Sequence, residues 1–197
     1  MVARNIWNAS RRRFYQQEET VTDLEQLRYP VGRFERLKSP LDRAGRAAHI
    51  EQLELLPQTF RALTAGRTDA ELETPYRPGG WTVRQVIHHV PDSHMNAYVR
   101  MKLAATEDAP AIRTYEEALW AELPEAKSAP IAMSLDLLDA LHRRWVAFLR
   151  ALPEAAFART FVHPEWGPVP IGRSIAMYEW HCRHHAAHIR QALGITS

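Results

Sequence analysis

Near the end of the chain, "YEWHCRHHAAHI" (178–189) carries His181, His184, His185 and His188 within eight residues. Neutral imidazole is an ordinary ligand of zinc, nickel, copper and iron, so metal binding is the first chemistry to weigh. On a helix, residues four apart share a face, with Cβ atoms about 5–6 Å apart. His181 with His185 and His184 with His188 both meet that spacing. Ile171, Ile175, Tyr178, Cys182, Ile189 and Leu193 mark the apolar side of the same helix. His181 and His185 flank that stripe and aim inward together. His184 and His188 turn toward solvent or a loop.

A third imidazole comes from "VIHH" in the middle of the chain. His89 shares a helix face with Val86, Val90 and Ser93, whereas His88 shares one with Arg84 and Asp92. His89 is therefore the inward member of that pair. Three imidazoles from two facing helices leave coordination positions open, which is the catalytic pattern and not the closed structural one. A group bound at an open position is acidified and becomes a nucleophile near neutral pH. The zinc-protease motif HExxH is excluded, because Cys182 stands where its glutamate belongs. Cys182 reads as a small core residue.

The elements that must position these residues follow from pattern. From Leu41, the residues Ala48, Leu53, Leu56, Phe60 and Leu63 recur at helical spacing up to Gly66, with Pro57 expected to kink or interrupt the helix. "WTVRQVIHHVPDSHMNAYVRMKLAA" is a second helix, capped by Thr82 or Gly80, with a bend expected at Pro91. "SLDLLDALHRRWVAFLRALP" is a third, with Ser134 as its expected N-cap and Pro153 just past its end. The fourth runs from about Ile171 to Leu193. A long crossover with a short helical turn joins the second and third, and a turn-rich link around "FVHPEWGPVPIG" joins the third and fourth. The expected fold is all-α, an up-and-down four-helix bundle with long crossover connections. Residues 1–28 read as a flexible tail, 29–197 as the bundle domain, and "RYPVGRFERLKSPLDR" as an extended strap held by its contacts.

Composition narrows the function classes. The 197 residues carry a formal net charge of only +2 and no basic run interleaved with aromatics, so neither nucleic acid nor an anionic membrane is an expected partner. No apolar stretch approaches the ~20 residues of a transmembrane helix. One cysteine and no signal-like apolar run point to a cytoplasmic setting.

The blocks "GGWTVRQVIHHVPDSHMNAYVRMKLAATEDAPAIRTYEEALWAEL", "YEWHCRHHAAHI" and "YPVGRF" resemble the YfiT-like branch of the DinB superfamily over roughly Tyr29 to the C-terminus. The resemblance implies a four-helix bundle, a homodimer and a three-histidine site for one zinc or nickel ion per subunit. Its members were labelled metal-dependent hydrolases, and the YfiT branch is similar to bacillithiol S-transferases. Carried over position by position, the ligands are His89, His181 and His185. Pro91 departs from the family pattern, and the first 28 residues have no counterpart in it.

Three functions follow, in this order. The first is thiol S-transfer, joining a low-molecular-weight, bacillithiol-like thiol to an electrophilic substrate. Asp92 or His88 would stand behind the ligands or carry protons, His94 and Asn96 would line the pocket mouth, and Arg84 and Arg100 would hold an acidic thiol. The second is hydrolysis, with an exposed Glu179 as candidate base. The third is a non-catalytic metal or ligand-binding role. Trp166 is expected to roof the site, with His163 as an outside candidate ligand.

Overall fold

The computed structural model describes residues 24–196. Four long helices carry the mass: α1 (Arg43–Thr64), α3 (Val83–Thr106), α6 (Ile131–Ala151) and α7 (Ile171–Ala192). The short helices α2 (Asp69–Leu72), α4 (Glu117–Ala121) and α5 (Pro124–Ser128) lie in the connections. Strands β1 (Thr160–His163) and β2 (Gly167–Pro170) form an antiparallel hairpin between α6 and α7. Among the described residues, no helix is long and apolar enough to cross a membrane.

Local chemistry explains the helix limits. Asp42 caps α1 by accepting from the Gly45 amide, and α1 ends just before Gly66, whose φ of +69° only glycine adopts without strain. Thr82 caps α3 through a capping box with Gln85. Ser134 does not cap α6. That helix starts three residues earlier, after Pro130, and the Ser134 hydroxyl instead meets the His88 ring. Pro57 and Pro91 lie inside continuous helices rather than interrupting them. Each removes one backbone donor and frees the carbonyl four residues earlier.

Each long helix packs on two others: α1 on α6 and α7, and α3 on the same two. Their directions follow from paired contacts. His88 meets Ser134, His94 meets His142 and Met101 meets Trp145, so α3 and α6 run parallel. Arg61 pairs with Asp136 and Glu54 with Arg150, so α1 opposes α6. His89 lies beside His185 and His94 beside His181, so α7 opposes α3. The up-and-down order expected from sequence is therefore corrected. The 24 residues of α3 span about 36 Å, and the connection at 107–130 returns along that length, so α6 starts again at the same end.

The core is apolar and closed. Leu53, Phe60, Val90, Met101, Trp145, Ile175 and Ile189 have no measurable exposure. Embedded in it are polar rings that such a core excludes unless they are paired, among them His94 and His142.

The expected tail at 1–28 lies mostly outside the described residues. Its last part, 24–28, is helical. The carbonyl of Leu27 accepts from Gln191 and that of Arg28 from His188. The strap that follows lies against α7, where the Gly32 carbonyl accepts from the Trp180 indole.

Candidate metal centre

His89 projects from α3, and His181 and His185 from α7, toward one point. Their ligand nitrogens lie within 4.8 Å of one another. His181 Nε2 is 3.4 Å from His89 Nε2 and 3.1 Å from His185 Nε2. Nitrogens bound at about 2.0–2.1 Å to a tetrahedral zinc lie about 3.3–3.4 Å apart, so the two edges through His181 come close to that cage. Burial holds the rings neutral, with the neighbouring histidines as the next cause. His89 is pushed down to about 4, and His181 and His185 well below the usual histidine range. Neutral imidazole is the ligand form. The residues present fit a divalent ion.

The triad opens into a cleft of about 510 Å³, and His181 keeps partial exposure to it. Tyr76, Trp81, Tyr115, Trp166 and Trp180 line its walls. Trp81 tilts over His89 at 4.7 Å between ring centroids. Arg28, Arg77 and Arg100 bring positive charge, while Glu117 is the one carboxylate among the described lining residues. The Tyr115 hydroxyl is buried without a protein partner, and burial raises its pKa, so it stays a proton donor. A larger groove, about 880 Å³ along α1, is lined by Arg43, Glu54 and Arg150 and gathers no cluster of ligating groups.

The structure brings together the three histidines singled out in the sequence and moves several others. His88 is turned away, with Nε2 on the Ala129 carbonyl and Nδ1 on Ser134. Asp92 lies on that same outer face of α3, where burial and then Glu125 raise its carboxyl to about 6. His88 is spent on Ser134 and Ala129, and neither it nor Asp92 bonds to a ligand ring, so neither stands behind the ligands as expected. His94 is not at the pocket mouth. It is fully buried, and its Nε2 lies 3.0 Å from His181 Nδ1. Asn96 bonds to the Asp92 carbonyl. Arg84 is held by Asp69 and Glu73 outside the cleft, whereas Arg100 lines it.

Glu179, expected to be exposed, is 6% exposed and paired with Arg183 and His49. It is no base for this site. Trp166 does line the cleft, and His163 stacks beneath it at 4.2 Å without lining the cleft itself. Cys182 is a buried core residue, and burial raises its thiol well above the usual range. His184 and His188 are buried between the strap, which brings Tyr29 to 5.9 Å from the His184 ring and the Arg28 carbonyl to His188, and the loop before α3. His184 stacks on Trp180 at 4.5 Å and His188 on Tyr76 at 3.8 Å.

Sequence reasoning missed His142 and the supporting place of His188. His142 lies on the apolar stripe of Leu138, Trp145 and Leu149, where a histidine is out of type. That was the available signal.

Comparisons with known proteins agree with this architecture. A protein of Bacillus pumilus (strain SAFR-032), named "putative metal-dependent hydrolase", is 47% identical over 171 residues, covering 85% of this chain and 95% of the relative. A relative in Bacillus cereus (strain B4264) is 47% identical over 166 residues, covering 84% and 95%. The solved structure of YfiT from Bacillus subtilis superposes with a TM-score of 0.82 at 42% identity, covering 87% of this chain and 99% of YfiT. It is described as a probable metal-dependent hydrolase with an unusual four-helix bundle topology. A second four-helix bundle protein, 22% identical with a TM-score of 0.50, shares the fold alone. The family model described as DinB superfamily matches residues 52–189, a span that contains all three histidines of the triad. The bundle, the cleft and the relatives agree: this chain belongs to the DinB superfamily, as a YfiT-like member.

Proposed function

We propose that this protein is a metal-dependent enzyme that binds one divalent ion, zinc or nickel, through His89, His181 and His185. Its reaction joins a low-molecular-weight thiol, bacillithiol-like in its acidity, to an electrophile. The observation that carries the reading is three neutral imidazoles converging at the base of an aromatic, arginine-lined cleft. The names of YfiT and of the Bacillus relatives support metal dependence. A divalent ion held there supplies Lewis acidity that lowers the pKa of a group bound beside it.

The choice of nucleophile rests on the lining. A thiol has an ordinary pKa of about 8.5, against about 15.7 for water, and so needs little help from a base. The cleft offers little, since its one carboxylate among the described lining residues is the exposed Glu117. Arg28, Arg77 and Arg100 suit a thiol that bears carboxylates, and Tyr76, Trp81, Trp166 and Trp180 offer apolar walls to the electrophile. Hydrolysis is the second reading, favoured by the relatives' names, with Glu117 in place of Glu179 as base.

One assay separates the two. The zinc-loaded protein is incubated with malyl-bearing and neutral thiols plus a chlorinated or epoxide electrophile, and in parallel with ester and amide substrates. Thiol consumption abolished by chelator is the expected result. Ester or amide turnover without thiol consumption would replace the transferase reading with the hydrolase one.

A further inference from the structure

Behind His181 runs a file of buried rings that begins at a backbone carbonyl. Leu53 lies in the middle of α1, and the residue four positions on is Pro57. Proline has no N–H, so the Leu53 carbonyl has no helical partner. His142 Nδ1 takes that place. His142 Nε2 lies 2.8 Å from His94 Nδ1, and His94 Nε2 lies 3.0 Å from His181 Nδ1. Trp145 and Tyr178 pack edge-on against His94 at 5.6 and 5.3 Å and seal it from water.

Only one arrangement of protons satisfies this file when the rings are neutral. A carbonyl only accepts, so His142 Nδ1 carries its proton and donates. His142 Nε2 is then bare, so His94 Nδ1 must donate to it. His94 Nε2 is bare in turn, so His181 Nδ1 must donate to it. What remains on His181 is a bare Nε2, the atom that faces His89 and His185. We infer that the Leu53 carbonyl, His142 and His94 form a relay that locks His181 in its Nδ1–H tautomer and presents Nε2 to the metal position. His94, His142 and Pro57 are positioning residues: they touch neither metal nor substrate.

A shorter relay serves the neighbouring ligand. His188 Nε2 donates to the Arg28 carbonyl at 3.1 Å, and His188 Nδ1 accepts from His185 Nδ1 at 3.4 Å. With a cation between the rings, His185 would keep its proton on Nδ1 and present a bare Nε2 as well, because two bare Nε2 atoms 3.1 Å apart repel unless a cation draws on both. Partners of this kind fix the tautomer and orientation of a ligating histidine.

The consequence for metal affinity rests on the metal-site reading, while the tautomer itself does not. Two-bond nitrogen–proton spectra of metal-free, ¹⁵N-histidine-labelled protein read the tautomer directly. The relay requires protonated Nδ1 and bare Nε2 on His181. A protonated Nε2 on His181 overturns it, and this measurement needs no variant to fold. Zinc affinity is then measured by competition with a chromophoric chelator. His94→Leu removes donor and acceptor and is expected to weaken zinc binding by about 10–100-fold. His94→Gln keeps both groups and is expected to stay near wild type. Wild-type affinity in His94→Leu would overturn the relay's role. Wild-type protein that binds no zinc would instead overturn the metal reading, with the spectra still deciding the relay.

Discussion

His181 and His185 sit one turn apart on α7, yet what stands behind each differs in depth. His181 is backed by two rings and a carbonyl inside the core, against Trp145 and Tyr178. His185 is backed by one ring, His188, whose partner is the Arg28 carbonyl of the strap. The first arm is part of the packing that makes the bundle stable. The second closes only when a peripheral segment is seated. Stability and metal affinity should therefore respond differently to damage on the two sides.

The largest expected effect tests whether the core arm stands without metal. Free zinc at about 1,000 times its Kd should raise the unfolding free energy by about 4 kcal/mol, and chelator should remove that gain. Calorimetry in chelator should still show a cooperative transition, because the core around Trp145 and Phe60 needs no ion. A chain unfolded in chelator would make the triad a structural clip.

Next is His142→Ala, which leaves a cavity, an unpaired Leu53 carbonyl and an unpaired His94 donor. Urea unfolding should show a loss of about 3 kcal/mol, together with weaker zinc binding. His188→Leu, on the strap side, should weaken zinc binding about 10-fold and lower stability by about 1–2 kcal/mol, less than His142→Ala, since it leaves the His185 donor unpaired but opens no cavity in the core. Equal stability losses in the two variants would erase the contrast.

The smallest effect lies outside both arms. Burial holds the Asp92 carboxyl at about 6, above its ordinary value. The folded state thus binds this proton more tightly than the unfolded chain, and stability falls as pH rises from about 4 to about 6. Asp92→Asn should raise the Tm above pH 6, by the equivalent of about 1 kcal/mol or less given its partial exposure, and leave it unchanged below pH 4.

The bundle and the triad were legible because both depend on periodicity along one helix. The i, i+4 spacing of His181 and His185, the apolar faces and the Thr82 cap are local facts. Helix direction was not legible, since nothing within α6 records that the connection at 107–130 returns to its starting end. The supports of the site were hidden for the same reason. His142 and Leu53 are 89 positions apart, and a carbonyl freed by Pro57 gains meaning only when another helix brings a donor to it. His184 and His188 read as facing solvent or a loop, and α7 alone cannot decide between the two; the structure places them under the strap and the loop that carries Tyr76.

The most direct test is the metal content of purified, untagged protein beside a His181→Ala/His185→Ala double variant. About one equivalent of divalent metal in the wild type, absent from the variant, is the predicted result. No metal in either protein after reconstitution with zinc and with nickel would contradict the account at its centre.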